Sequence, residues 1–184
     1  MSVSRRSLLM LLMLAGCASV PPAPSGLPRL RLAPAALGGV RYALSQRLSV
    51  TRLDQSGGPV QHVDVQLQLD ASGLLLAGFA FGQRVLLMRW DGKALNVQRH
   101  IALPAEVDPD RMLRDLCLTF WPAESVRAAL PDGWTWVENA AGLTLAQEGQ
   151  VRWVLRRPSA DIVEIVNTAE GYRLLIESQP QEAS

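Results

Sequence analysis

From Tyr42 onward, apolar and polar residues alternate with a period of two, the spacing of strands that bury one face. Tyr42, Leu44, Leu48 and Val50 fall on one face. Val63, Val65, Leu67 and Leu69 fall on another, with Asp64, Gln66 and Gln68 between them facing water. Leu74 to Phe81 is apolar at nearly every position, which predicts a strand covered on both faces, or, as the alternative, side chains that line a cavity or form a membrane-touching tip. Val85–Trp90 and Leu95–Ile101 complete a meander of about five strands, with turns at Asp70–Gly73, Gly82–Gln83 and Asp91–Gly92. Asp-Gly is a strong hairpin signal because both residues tolerate positive φ.

The period then changes. Asp108-Pro109 reads as an N-cap and first helical residue. Met112, Leu113, Leu116, Cys117 and Phe120 fall on one helical face, and Arg111, Arg114 and Asp115 on the other, with Leu118 on the polar side. Trp121-Pro122 ends this helix, since a residue before proline avoids helical geometry. A second helix is predicted over about Ala123–Leu130, with Val126, Ala129 and Leu130 inward, stopped at Pro131-Asp132-Gly133. Alternation resumes with Trp134 and Trp136, Leu143 and Leu145, Val151 to Leu155, Val163 and Ile165, and Leu174 and Ile176. The pattern predicts an α+β, mostly β domain: an antiparallel sheet of about ten strands with two short helices. A sheet that wide is expected to curl into a half-barrel, with the helices as its cover.

The N-terminus has another logic. Arg5-Arg6, the apolar run from Leu8 to Leu14, and small residues before Cys17 form the three parts of a signal peptide. The apolar run is far short of the roughly 20 residues of a spanning helix. Leu14-Ala15-Gly16-Cys17 resembles the lipobox of bacterial lipoproteins, which implies a diacylglycerol on the Cys17 thiol and cleavage before it. An ordinary secretory peptide with a chance cysteine is the alternative. Ser4-Arg5-Arg6-Ser7-Leu8-Leu9 also looks like a twin-arginine signal, so the export route stays open. Residues 17–35, with Pro21, Pro22, Pro24, Pro28 and Pro34, read as a lipidated cysteine and an extended tether. At about 3.1 Å per residue it would reach roughly 50 Å. The domain is then expected over 36–178, with a polar tail from 179. Ala18 and Ser19 replace the aspartate that retains enteric lipoproteins in the inner membrane, which points to the outer membrane and its periplasmic side.

Composition narrows the function more than it names one. The chain has 18 Lys and Arg against 17 Asp and Glu. Removing Arg5 and Arg6 with the signal leaves 16 against 17, a formal charge of −1. That balance gives no electrostatic case for nucleic acid or for an anionic membrane surface. With Cys17 acylated, Cys117 has no partner for a disulfide and reads as a small buried hydrophobe. His62 and His100 stand apart, and neither has a second acid nearby; His62 and Asp64, two apart on one strand face, read as a solvated pair. No nucleophile elbow, phosphate loop or zinc signature is present, so no cofactor, metal or catalytic residue is expected.

What remains is hydrophobic. A curled sheet under a helical lid can leave a concave apolar space, and indole suits the rim of a pocket for a partly polar lipid. The candidate lining is Leu76, Phe79, Phe81, Met88 and Trp90 from the sheet, with Met112, Leu113, Leu116, Phe120 and Trp121 from the lid.

Leu87-Met88-Arg89-Trp90-Asp91-Gly92 and Arg114-Asp115-Leu116-Cys117-Leu118-Thr119-Phe120-Trp121-Pro122 resemble the blocks of an uncharacterised family of small bacterial lipoproteins, a domain of unknown function, whose genes accompany aryl-polyene pigment clusters. The likeness extends over most of residues 40 to 177. Cys117 departs from it, standing where a glutamine is expected. The order of strands and helices also resembles the carriers LolA and LolB, half-open barrels that hold acyl chains, though this chain lacks LolB's leading helix. These resemblances imply an outer-membrane lipoprotein that binds or passes on an acyl or polyene lipid. The alternative is a non-catalytic accessory of a lipid or pigment export system, in contact with its proteins.

Overall fold

The computed structural model describes residues 26–55, 58–104 and 107–181. The signal segment and Cys17 lie outside the described residues. Five strands come first: β1 (Tyr42–Arg52), β2 (Gln61–Asp70), β3 (Gly73–Ala80), β4 (Gln83–Trp90) and β5 (Leu95–Arg99). Helices α1 (Pro109–Phe120) and α2 (Ala123–Ala129) follow, then β6 (Trp134–Asn139), β7 (Gly142–Gln147), β8 (Gln150–Arg156), β9 (Ile162–Asn167) and β10 (Tyr172–Pro180). The ten strands form one open antiparallel sheet in the order β5-β4-β3-β2-β1-β10-β9-β8-β7-β6. Every neighbour in the sheet is a neighbour in the chain except β1 and β10, which pair at its centre. The two edges, β5 and β6, are therefore consecutive in sequence, and both helices lie in the connection between them.

Local chemistry sets the ends of these elements. Asp108 caps α1 by accepting the Asp110 N–H at 2.8 Å, and Pro109 opens the first turn. Trp121 is extended before Pro122, which ends the helix. The Asp91 carboxylate accepts the N–H groups of Lys93 and Ala94, both at 2.8 Å, which fixes the β4–β5 turn.

The alternation of β2 has its expected outcome: Val65, Leu67 and Leu69 are buried and Asp64, Gln66 and Gln68 exposed. In β3, Leu74 and Leu76 are buried, whereas Leu75, Ala77 and Phe79 are only half-buried. The register sets that outer face beside long polar chains, with Leu75 between Gln68 and Arg89 and Phe79 between Asp64 and Arg84. Buried side chains from β2–β4 and from β6–β10 belong to one cluster with Leu113, Cys117 and Leu118 of α1, so both halves of the sheet share a core with the helix.

Four expectations are corrected. The proline-rich stretch is not a free tether from Leu27 onward. Leu27, Leu30 and Leu37 are buried in the core, and Pro34–Leu37 form a short 3-10 helix. Extended backbone leaves its carbonyls unpaired, and two indoles take them: Trp90 Nε1 donates to Leu32 O at 2.8 Å, and Trp121 Nε1 to Ala33 O at 2.9 Å. The C-terminal tail begins later than expected, since Gln179 and Pro180 continue β10 opposite Ser45 and Leu44. Helix α1 is buried on more sides than its polar pattern suggests, with Leu118 fully enclosed and the Arg114 side chain 4% exposed. Ala129 of α2, expected inward, is exposed.

Candidate binding cleft

The ten candidate lining residues separate into three groups. Leu76, Met88, Trp90, Leu113 and Trp121 are buried in the core cluster, and Met112, Leu116 and Phe120 pack half-buried against it. Phe79 is half-buried on the outer face of β3, and Phe81 projects fully into solvent from the β3–β4 turn. Of the ten, only Phe120 and Trp121 line the larger of two clefts, and Trp90 lines the smaller.

The larger cleft has a volume of about 720 Å³. It lies where the end of α1 meets the start of β1, the β6–β7 turn and the end of β8. Its aromatic lining is Tyr42, Phe120, Trp121 and Trp136, with Leu37, Leu143 and Leu155 beside them. Tyr42 and Phe120 are tilted rings with centroids 4.8 Å apart. Trp136 stacks on Trp153 at 5.9 Å, and the indole N–H groups of both are buried with no acceptor among the described residues. Gly142 lets β7 approach β8 here: at φ 128°, a Cβ on it would stand 2.1 Å from Leu155 O.

The rim is charged. Arg156 and Arg157 sit on one side and Glu138 on another. Arg157 Nη2 donates to Thr119 O at 3.0 Å, tying the end of β8 to the last turn of α1. Arg156 faces Glu164 at 3.5 Å. Arg156 and Glu164 are cross-strand partners on the face of β8 opposite buried Leu155, so of the two arginines it is Arg157 that reaches toward α1 beside the aromatic lining. Tyr42, Trp136, Leu143, Arg156 and Arg157 escape the sequence reading because they come from separate turns. The Arg156-Arg157-Pro158 run is the one local signal that could have marked the place.

The smaller cleft, about 390 Å³, lies between the β2–β3 and β4–β5 turns. Its acids are occupied locally. Ser72 donates its hydroxyl to Asp70, and the backbone amides of Ala94 and Lys93 hold the Asp91 carboxyl below the usual range.

The densest group of charges is elsewhere, under α1. Arg114 makes a bidentate pair with Glu170, both bonds at 2.7 Å, and donates from Nε and Nη2 to Asp115 Oδ1 at 3.0 Å. Tyr172 donates its hydroxyl to Asp115 Oδ2, and Asn167 Nδ2 donates to Glu170 at 3.0 Å. Burial alone would raise Glu170, but the Arg114 hydrogen bonds and charge outweigh it and hold the carboxyl low. Burial dominates at Asp115 and raises it. Its polar groups engage one another, so the cluster reads as a clasp between α1 and the β9–β10 turn.

Among the described residues, neither histidine lines either cleft. His62 Nδ1 meets Ser49 Oγ at 3.0 Å and Asp64 pairs with Arg47, each reaching across to β1, and both stay exposed, as the solvated reading expects. The described residues contain no group of three His, Cys, Asp or Glu able to hold a metal. Cys117 is buried, which pushes its thiol up to about 12.

No curated protein shows a significant match to the chain. One family does, over residues 43–180, a span that begins in β1 and ends with β10 and so takes in the whole sheet and both helices. The chain belongs to the family described as protein of unknown function DUF3261.

Proposed function

We propose that this protein is a lipid-anchored, non-catalytic binding module of the outer membrane, held by acylated Cys17 on the periplasmic side. It takes a hydrophobic ligand with an acidic head, of the acyl or aryl-polyene class, for storage or transfer. In this reading the open sheet curls as a half-barrel around α1, in the manner of LolA and LolB. The observation that carries it is the 720 Å³ cleft, whose aromatic lining is Tyr42, Phe120, Trp121 and Trp136, with Arg157 among the residues around it. Each apolar side chain covered by a ligand contributes roughly 1.5–3 kcal/mol, so three or four give useful affinity without a deep cavity.

One observation favours a second reading, an accessory subunit of an export system. Leu76, Met88 and Leu113 fill the space under the helix, all buried at 3% exposure or less. Native mass spectrometry of protein extracted from its host separates the two. A copurified acyl or polyene lipid supports the binding module. A bare mass, with no tryptophan quenching on adding fatty acid, supports the accessory subunit.

A further inference from the structure

Phe81 occupies a position that neither the turn nor the core explains. Ala80 pairs with Gln83, so Phe81 and Gly82 form a two-residue hairpin loop, with φ 52° and 73°. Such a loop favours Asn or Asp at its first position, since other side chains resist positive φ. The ring is 103% exposed and therefore packs on nothing in the fold. A bulky apolar group held out from a strained turn contributes to contact with something outside the chain.

The register shows that Phe81 has company. Asp64 pairs with Phe79 and Val50 with Gln61, so the end of β1 and the start of β2 lie at the same end of the sheet as the Phe81 turn. Leu86 pairs with Arg99 and the His100 N–H donates to Val85 O at 2.9 Å, which brings the residue after β5 there too. This end carries Leu53, Val60, Phe81 and Ile101, all exposed, with Ile101 at 97%. At about 4.8 Å between strands, β1 to β5 spread these tips over roughly 20 Å. Arg84, exposed two residues past Gly82, adds a guanidinium beside them.

The described chain also begins at this end. A Cβ on Gly26 would lie 3.5 Å from Glu170 Oε1, and Glu170 precedes Gly171, whose carbonyl accepts the Leu53 N–H at 2.8 Å. Eight residues separate Cys17 from Gly26, nine backbone steps with a reach of about 30 Å at most. An acyl chain on Cys17 would therefore hold this end of the sheet toward the bilayer. From these placements we infer that the end bearing Leu53, Val60, Phe81 and Ile101 docks on a phospholipid surface, with Phe81 inserted among the acyl chains. The docking rests on the anchor reading for its orientation only.

The test uses the full processed chain in phosphatidylethanolamine–phosphatidylglycerol vesicles with brominated acyl chains. An environment-sensitive fluorophore is placed on Ile101→Cys, or on Val137→Cys toward the opposite end; buried Cys117 takes no label. Bromolipid quenching at position 101 should exceed that at 137 at least threefold, and adding Phe81→Asn should remove most of the difference. Phe81→Asn should also leave the thermal midpoint unchanged or raised. Equal quenching at 101 and 137, shielding of position 101 by self-association without vesicles, or a midpoint lowered by Phe81→Asn would each overturn the inference. Palmitate incorporation is read separately, so end-specific quenching without palmitate would keep the docking and discard the anchor.

Discussion

Gly142 shows how much of the cleft rests on one residue. Its φ of 128° and the 2.1 Å that would separate an added Cβ from Leu155 O leave no room for a side chain. Gly142→Ala should cost about 2–4 kcal/mol in urea unfolding, through strain and displacement of β8. Glu148 makes the contrasting case, at φ 49° in the β7–β8 turn with an exposed side chain. Glu148→Asn should raise stability by about 0.5–1 kcal/mol in the same assay. Cys117, with its thiol pushed up to about 12 by burial, should resist alkylation in the native state at pH 8 and react only on unfolding. Its burial was legible in the sequence, because Leu113 and Cys117 share a helical stripe. That of Arg114 was not, because its partners Glu170 and Tyr172 arrive from a turn more than 50 residues away.

Among the elements, the stretch before β1 departs furthest from its sequence reading. Prolines argue for an extended chain, and Leu32–Ala33 is indeed extended, yet polyproline chemistry says nothing about whether other elements cover it. The deciding contacts are the indoles of Trp90 and Trp121, which no local pattern connects to residues 32 and 33. The clasp between α1 and the β9–β10 turn belongs to the same scale and has a pH signature. Glu170 is held below its unfolded value near 4.3, so its contribution is present above that value and is lost as pH falls through the lowered one. Asp115 is raised, so its contribution has the opposite sign, present at low pH and lost as pH rises through its elevated value. With side chains 4% and 7% exposed, the Arg114–Glu170 pair is a buried one. Glu170→Gln should therefore lower stability by about 3 kcal/mol at pH 7. That difference should shrink as pH falls through the lowered Glu170 value, where the wild-type carboxyl also becomes neutral. Urea midpoints measured from pH 3 to 7 check both the size and the direction.

For the whole molecule, strand number, the two inserted helices and the antiparallel order follow from alternation and short turns. Alternation along a strand reports which face is wet, not which strands meet, and the β1–β10 pairing that joins the chain's ends is the part it cannot supply. That pairing makes β10 a central strand, so truncation before Tyr172 should abolish the fold rather than trim an edge, as near-ultraviolet circular dichroism would show. The cleft was illegible for a related reason: it is assembled from the ends of α1, β1, β6, β7 and β8, each contributing one to three residues. The candidate lining named from sequence clusters instead under α1, where most of it packs as core. The most direct test of the binding account is energy transfer from tryptophan to a conjugated polyene fatty acid added to the protein. The account predicts a saturable signal, weakened at least tenfold by Leu143→Asp and about threefold by Arg157→Gln in variants that remain folded. A signal that does not saturate, or that both variants leave unchanged, would contradict it.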